Sequence, residues 1–234
     1  MNDVWKARTV GQVCLPMTTA KPQSEPDVAF EYIDVSSVSK ESLSIVSTQT
    51  LLGKDAPSRA RRQVRADDVL FATIRPTLRR VTVVPPSLDG QVCSTGYFVA
   101  RPNPELILSR FLYFYLQSDT FIDAMEALQK GASYPAVTDA EVRHQRIPVP
   151  PLAEQARIVR ILDEALDAID IAQANTKANI ANAESLLDAE LDAILERAQT
   201  SSQERRLVDV CKRVTGAIVK TCGSHVSCGL RLTS

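Results

Sequence analysis

Beyond Pro151 the chain has no proline, and no glycine falls between Gly131 and Gly216. Those two residues interrupt helices, so their absence permits a single long one. Long apolar runs are lacking too. No stretch approaches the roughly 18 residues a membrane span needs, and the N-terminus, with Asp3 and Trp5, has no signal-peptide core. Cysteines are few and odd in number, namely Cys14, Cys93, Cys211, Cys222 and Cys228, without framework spacing. A reduced, cytoplasmic protein is therefore expected. Cys222 and Cys228 flank His225, but no C-x₂-C spacing accompanies them, so no metal site is expected.

Catalytic signatures are missing as well. There is no G-x-x-x-x-G-K-[ST] loop for nucleotide hydrolysis. Val83-Val84-Pro85-Pro86-Ser87 lacks the Asp or Asn before Pro-Pro, and the aromatic after it, with which amino-methyltransferases hold a flipped base. Pro26-Asp27 with Glu31-Tyr32-Ile33 lacks the lysine of a nuclease site, and no glycine-rich loop suits S-adenosylmethionine. His144 reads as a hydrogen-bonded surface histidine. No catalytic residues and no resident cofactor are expected.

What is present is uneven. The net charge of −1 hides a nearly neutral first part, with 17 basic and 16 acidic residues up to Pro151. Residues 152–200 then carry 4 basic and 10 acidic, and residues 201–234 carry 6 basic and 2 acidic. Within Lys54–Arg80, eight basic residues stand against three acidic. Polyanion binding is thus plausible only for a local surface of the first part, and the acidic stretch should repel DNA.

Three parts are predicted: a domain over 1–151, a long helix over 152–199, and the start of a second domain over 200–234. The first reads as α+β. Val69–Ile74, Arg80–Val84 and Gly96–Ala100 are short β-branched or aromatic runs, and Phe30–Val35 alternates apolar and polar. Ser109 is placed as the cap of a helix running to about Leu128 and stopped by Gly131. Thr138-Asp139-Ala140-Glu141 is a capping-box pattern. The Pro150-Pro151 pair followed by Leu152-Ala153-Glu154 is a helix start, with proline in the first turn and a carboxylate near the positive end of the dipole.

The helix from about Leu152 to Arg197 would span roughly 69 Å at 1.5 Å per residue. Ile158, Leu162, Ala165, Ile169, Ala172 and Thr176 follow 3-4 spacing, and Ile180, Leu187, Leu191 and Ile194 resume it one residue out of phase. Such a stripe on a charged helix wants a partner helix. A local bundle is the alternative, but the chain offers no second long helix, so pairing with another copy is expected. Leu207-Val208-Asp209-Val210-Cys211 echoes Val10-Gly11-Gln12-Val13-Cys14 just after the helix, as if a second domain were beginning.

The run Ile147-Pro148-Val149-Pro150-Pro151-Leu152-Ala153-Glu154-Gln155, continuing into a helix, resembles the exit motif of the DNA-specificity subunits of type I restriction-modification systems. Val64–Pro76 resembles that family's basic, Gly-Asp-hydrophobic strand start, with Asp67 in place of the glycine. Gly131–Val137 is similar to its Gly-Ser-rich loop, and Val10–Cys14 to its domain start. The resemblance implies a target-recognition domain for one half of a bipartite DNA site and a spacer helix. It also implies methylation subunits that bring S-adenosylmethionine, and an endonuclease subunit as a further partner. Family members hold two recognition domains and two helices. This chain holds one of each, so a half-length form that pairs with a second copy is expected. A coiled-coil module that binds protein rather than DNA, or a decoy for the methylation subunit, is the alternative.

For DNA contact the candidates are Arg59, Arg61, Arg62, Arg65, Arg75, Arg79 and Arg80, because guanidinium binds phosphate bidentately and can read guanine in the major groove. Lys130, Ser133 and Tyr134 join them on a loop of small and amphipathic side chains.

Overall fold

The computed structural model describes residues 5–39, 41–131 and 134–201. The echo at Leu207–Cys211, the cysteines beyond it, Ser133 and the segment from 202 lie outside the described residues.

The chain opens with β1 (Lys6–Thr9), a single helical turn α1 (Val10–Val13), β2 (Cys14–Leu15) and β3 (Thr18–Thr19). Then come β4 (Ala29–Ile33), β5 (Gln49–Leu52), β6 (Ala60–Gln63), β7 (Val69–Ala72), β8 (Val81–Val83), β9 (Val92–Ser94) and β10 (Tyr97–Pro102). Helices α2 (Ser109–Gln117), α3 (Asp119–Leu128) and α4 (Asp139–His144) lead to β11 (Arg146–Val149) and α5 (Leu152–Ser201). The expected mixture of strands and helices with one long terminal helix is present.

Three sheets lie in the first unit, the pair β1-β11 and two larger ones in the orders β2-β10-β7-β8 and β3-β6-β9-β4-β5, with β4 and β9 parallel and the other neighbours antiparallel. β7 explains the layering. Its four residues are all buried. Because strand side chains alternate, Val69 and Phe71 enter a core with Phe98, Leu112, Leu116, Phe121 and Met125 of the helices and β10. Leu70 and Ala72 enter a second core with Ile33, Cys93, Tyr97 and Val99. The four-stranded sheet is thus covered by helices on one face and by the five-stranded sheet's side on the second. Burial pushes the Cys93 thiol up to about 12.

The predicted helix over 109–128 is two helices. Ser118 is extended, φ −63° and ψ 148°, and its hydroxyl accepts from the Phe121 N–H at 3.3 Å, capping α3. The apolar ridge shows the cause, since Leu116 and Phe121 are five residues apart and cannot share one straight helical stripe. Ser109 is not the cap. It sits inside the first turn and donates its hydroxyl to Asp67 O at 2.6 Å. The capping box at Thr138 is present with both reciprocal bonds.

Asp67 adopts φ +67°, the left-handed conformation that a short polar side chain tolerates better than others. The turn therefore keeps its shape without glycine. β1 and β11 are antiparallel partners, Lys6 opposite Val149 and Thr9 opposite Arg146.

Contacts divide the chain after Asp170. In the first unit the start of α5 is tied down by Gln155, whose side chain is fully buried. Its Oε1 accepts from Leu108 N–H at 2.9 Å, and its Nε2 donates to Leu106 O at 2.9 Å and Pro150 O at 2.8 Å. Arg110 of α2, lying over the rings of Tyr113 and Phe114, binds Asp163 at 2.7 Å. Ile158 and Val159 pack against the helical core. Ile158, expected on the face for a partner helix, is thus partly taken up by its own domain. In the second unit, from Ile171, the residues of α5 as far as Ser201 continue the helix.

Candidate nucleic-acid interface

Backbone bonds gather several of the basic residues at the C-terminal end of β7. Thr95 N–H donates to Arg59 O at 2.9 Å, and Thr73 N–H to Gly96 O at 2.9 Å. Val137 N–H then donates to Thr73 O at 3.0 Å and Arg75 N–H to Pro135 O at 2.7 Å. Lys130 and Ala136 exchange both backbone bonds, at 2.9 and 3.0 Å, which closes the loop carrying Tyr134. Ala72 N–H donates to Arg80 O at 3.0 Å, bringing the Arg79–Arg80 pair to the same end. Arg59, Arg75, Arg79, Arg80, Lys130 and Tyr134 therefore belong to one strand-end cluster.

The arginines in it differ in what they touch. Arg59 is exposed beside Thr95. Arg75 is exposed, and its guanidinium lies 5.6 Å from the centre of the Tyr134 ring. Tyr134 itself is 75% exposed. Arg79 is ion-paired with Asp119 and donates to Gln117 O at 3.2 Å, so it fastens the turn to the junction of α2 and α3. Arg75 and Arg79 both have left-handed backbone, φ 51° and 50°, and frame a 3-10 turn over Pro76–Leu78.

Two of the predicted contacts are corrected. Arg62 has only 13% of its side chain exposed, because it donates to Tyr97 O and binds Asp139 at 2.9 Å. It ties β6 to the start of α4 and is no phosphate ligand. Arg80 is half-buried and donates to Val35 O at 3.3 Å. Arg65 is exposed just before β7. Arg61 is exposed at an irregularity of the β6–β9 pairing, its Nε on Ser58 O at 2.9 Å.

Lys130, with 84% of its side chain exposed, lies 3.4 Å from Glu141. The Glu141 carboxyl is held below the usual carboxylate range, first by the Thr138 backbone N–H and then by the Thr138 hydroxyl, with Lys130 adding to both. His144 bonds Ala140 O at 2.6 Å through Nδ1. Among the described residues no group of His, Cys, Asp or Glu is placed to hold a metal, and no described helix is long and apolar enough to cross a membrane.

Sequence reasoning passed over the exposed Thr77 at the turn between Arg75 and Arg79, and the anchoring role of Gln155. For Thr77 the Arg-Pro-Thr-Leu-Arg spacing was the available signal. Chemically the cluster offers cationic donors, hydroxyls and one aromatic face on a fixed backbone. Those groups suit phosphates and base edges, and nothing in the set is arranged as nucleophile and base.

Comparison with known proteins agrees with this picture. The model of the type I restriction modification DNA specificity domain matches residues 2–182. The specificity subunit of the type I restriction enzyme HindI of Haemophilus influenzae is 30% identical over 128 residues, which is 54% of this chain and 27% of that protein. The EcoDI specificity subunit of Escherichia coli is 28% identical over 116 residues, covering 50% and 24%. Among solved structures, the HsdS subunit of Thermoanaerobacter tengcongensis is similar at 39% identity and a TM-score of 0.69, over 82% of this chain and 48% of that one. A chain solved to explain complex assembly and conformational transition of the type I R-M system gives 38% and 0.75, over 83% and 50%. The matches thus span about half the length of the solved relatives and about a quarter of the two curated ones. With the family model covering both the layered domain and most of the helix that leaves it, the chain belongs to the type I restriction-modification DNA specificity family.

Proposed function

We propose that this chain reads DNA sequence for a type I restriction-modification enzyme, with residues 1–151 as a target-recognition domain for one half of a bipartite duplex site. The observation that carries the reading is the strand-end cluster holding exposed Arg59, Arg75, Lys130 and Tyr134, in a chain of this family. The chain brings no chemistry of its own. Methylation subunits supply S-adenosylmethionine and the transfer, and an endonuclease subunit is a further partner, all in the cytoplasm. The test is a selection from random duplexes followed by a salt titration. Phosphate neutralisation predicts log K falling against log salt with a slope of about −0.9 per contact. No specific duplex binding at any salt would leave a protein-binding module instead.

The helix over 152–199 acts in this proposal as a spacer paired with a second copy. Leu162, Ile169, Ile180, Leu187, Leu191 and Ile194 are all exposed large apolar residues on the 3-4 stripe, Ile180 at 55% and Leu187 at 61%. Ala165, Ala172 and Thr176 leave room for close approach. An antiparallel copy uses most of the stripe by facing Leu162 with Ile194, Ala165 with Leu191, Ile169 with Leu187 and Thr176 with Ile180. Each of these large side chains then meets a large or a small one, and Ala172 lies level with Glu184. Two recognition domains related by a two-fold axis would read an inverted repeat, and the spacer would fix their separation in steps of about 34 Å per helical turn of DNA. Ile171 and Leu186, exposed but off that stripe, are candidates for a methylation subunit.

A further inference from the structure

Resting on that reading of the chain as a DNA-recognition subunit, we infer that Thr77 reads a base, a thymine, through the 5-methyl group that the major groove exposes. Thr77 is the middle residue of the 3-10 turn over Pro76–Leu78, it is exposed, and its hydroxyl bonds no described residue. Leu78, next in the turn, is 37% exposed. An apolar tip thus stands in the strand-end cluster that also holds the cations Arg59 and Lys130. The cations suit phosphates. A hydroxyl alone would suit a phosphate too, but a phosphate gains nothing from the methyl beside it or from a neighbouring leucine. The methyl of threonine packs on that of thymine, which cytosine lacks.

The tip is held from both ends. Arg75 and Arg79, which flank it, have left-handed backbone, φ 51° and 50°. Such φ is uncommon outside glycine, persists only where the surroundings fix it, and gathers at ligand sites. Arg75 N–H donates to Pro135 O at 2.7 Å, while Leu78 N–H donates to Arg75 O and Arg79 N–H to Pro76 O, each at 3.0 Å. Pro76 is buried, and its ring fixes its own φ. The Arg79 side chain, bound to Asp119 and to Gln117 O, fastens the far end to the junction of α2 and α3. Threonine adds a β-branched side chain that is stiff about its first bond. One methyl discriminates only from a fixed position, and a tip pre-set in this way loses little freedom on binding.

The experiment selects duplexes from a random pool with the full chain, then replaces each thymine of the selected duplex in turn by deoxyuridine, which lacks only the 5-methyl. At one position the replacement should weaken binding by about threefold to tenfold, the scale of one buried methyl. Thr77→Ser keeps the hydroxyl and removes the methyl, and Thr77→Val does the reverse, each checked for an unchanged thermal midpoint. Thr77→Ser should bind the unaltered duplex more weakly by a similar factor and lose its response to deoxyuridine at that position. Thr77→Val should retain the response. A response that persists in Thr77→Ser would overturn the inference, as would a selected duplex with no responsive thymine. If Thr77→Val weakened all sequences alike and Thr77→Ser weakened none, the hydroxyl would be a phosphate contact, which overturns the inference while leaving DNA recognition intact. Failure of the unaltered chain to select any duplex would overturn both.

Discussion

Arg101 meets Asp68 in a two-pronged ion pair inside the protein, Nε on Oδ1 at 3.0 Å and Nη2 on Oδ2 at 2.9 Å, with both side chains buried. The same arginine donates to Gln63 O at 3.2 Å, and Asp68 accepts the Arg65 N–H at 2.8 Å. The pair welds β10 to the turn that launches β7, where the basic segment passes. Removing one charge from a buried pair strands the other, so Arg101→Leu should cost about 3–5 kcal/mol in urea unfolding. Asp68→Ala together with Arg101→Leu should cost less than the sum of the two single changes. A midpoint within the range of a surface substitution for Arg101→Leu would refute the assignment.

Gln155 should behave as a structural rivet. Gln155→Leu deletes three hydrogen bonds and leaves Leu108 N–H, Leu106 O and Pro150 O without those partners, at about 1–3 kcal/mol for a buried group left unsatisfied. Hydrogen exchange would report it, with the Leu108 amide losing protection while amides of β7 keep theirs.

Acid should loosen the start of α4. The folded-state pKa of Glu141 is depressed, so its contribution is present above the ordinary carboxylate value near 4.5 and fades as pH falls through the lower folded value. Thermal melts between pH 7 and 3 should show that drop in the natural protein. Glu141→Gln should remove this component, and identical profiles for the two would count against the capping role.

Charge in the seam should separate the copies. Ile169→Asp with Ile180→Asp should give a monomer in sedimentation while the near-ultraviolet signal of the domain stays native, since burying unpaired carboxylates costs several kcal/mol, on the order of 2 or more each. Leu162→Glu or Ile194→Lys alone should weaken pairing. The two together should restore part of it in the antiparallel arrangement. In a parallel in-register pair they would set like against like and make matters worse, which reads out the direction directly.

Much of this architecture was legible because short-range patterns govern it. Val69–Ala72 is apolar without alternation, as a strand buried on both faces must be, and Thr138 with Glu141 declares a capped turn on its own. The break at Ser118 was also written there, in the five-residue step from Leu116 to Phe121 and in the run Ser118-Asp119-Thr120, which favours a cap over a helix interior. Long-range pairing is another matter. Nothing near Arg62 announces Asp139, 77 positions on, so a buried tie looked like one more surface cation. Ile158, half taken up by its own domain, is a related case. A stripe tells which side of a helix is apolar, but not whether its own domain or a second molecule covers the first turn.

Finally, the pairing of Lys6 with Val149 means that the backbone enters and leaves the layered domain side by side. Everything between those two positions is a closed excursion. Its contents can be rebuilt by evolution or by grafting, provided the two ends still meet, without shifting the point from which α5 departs.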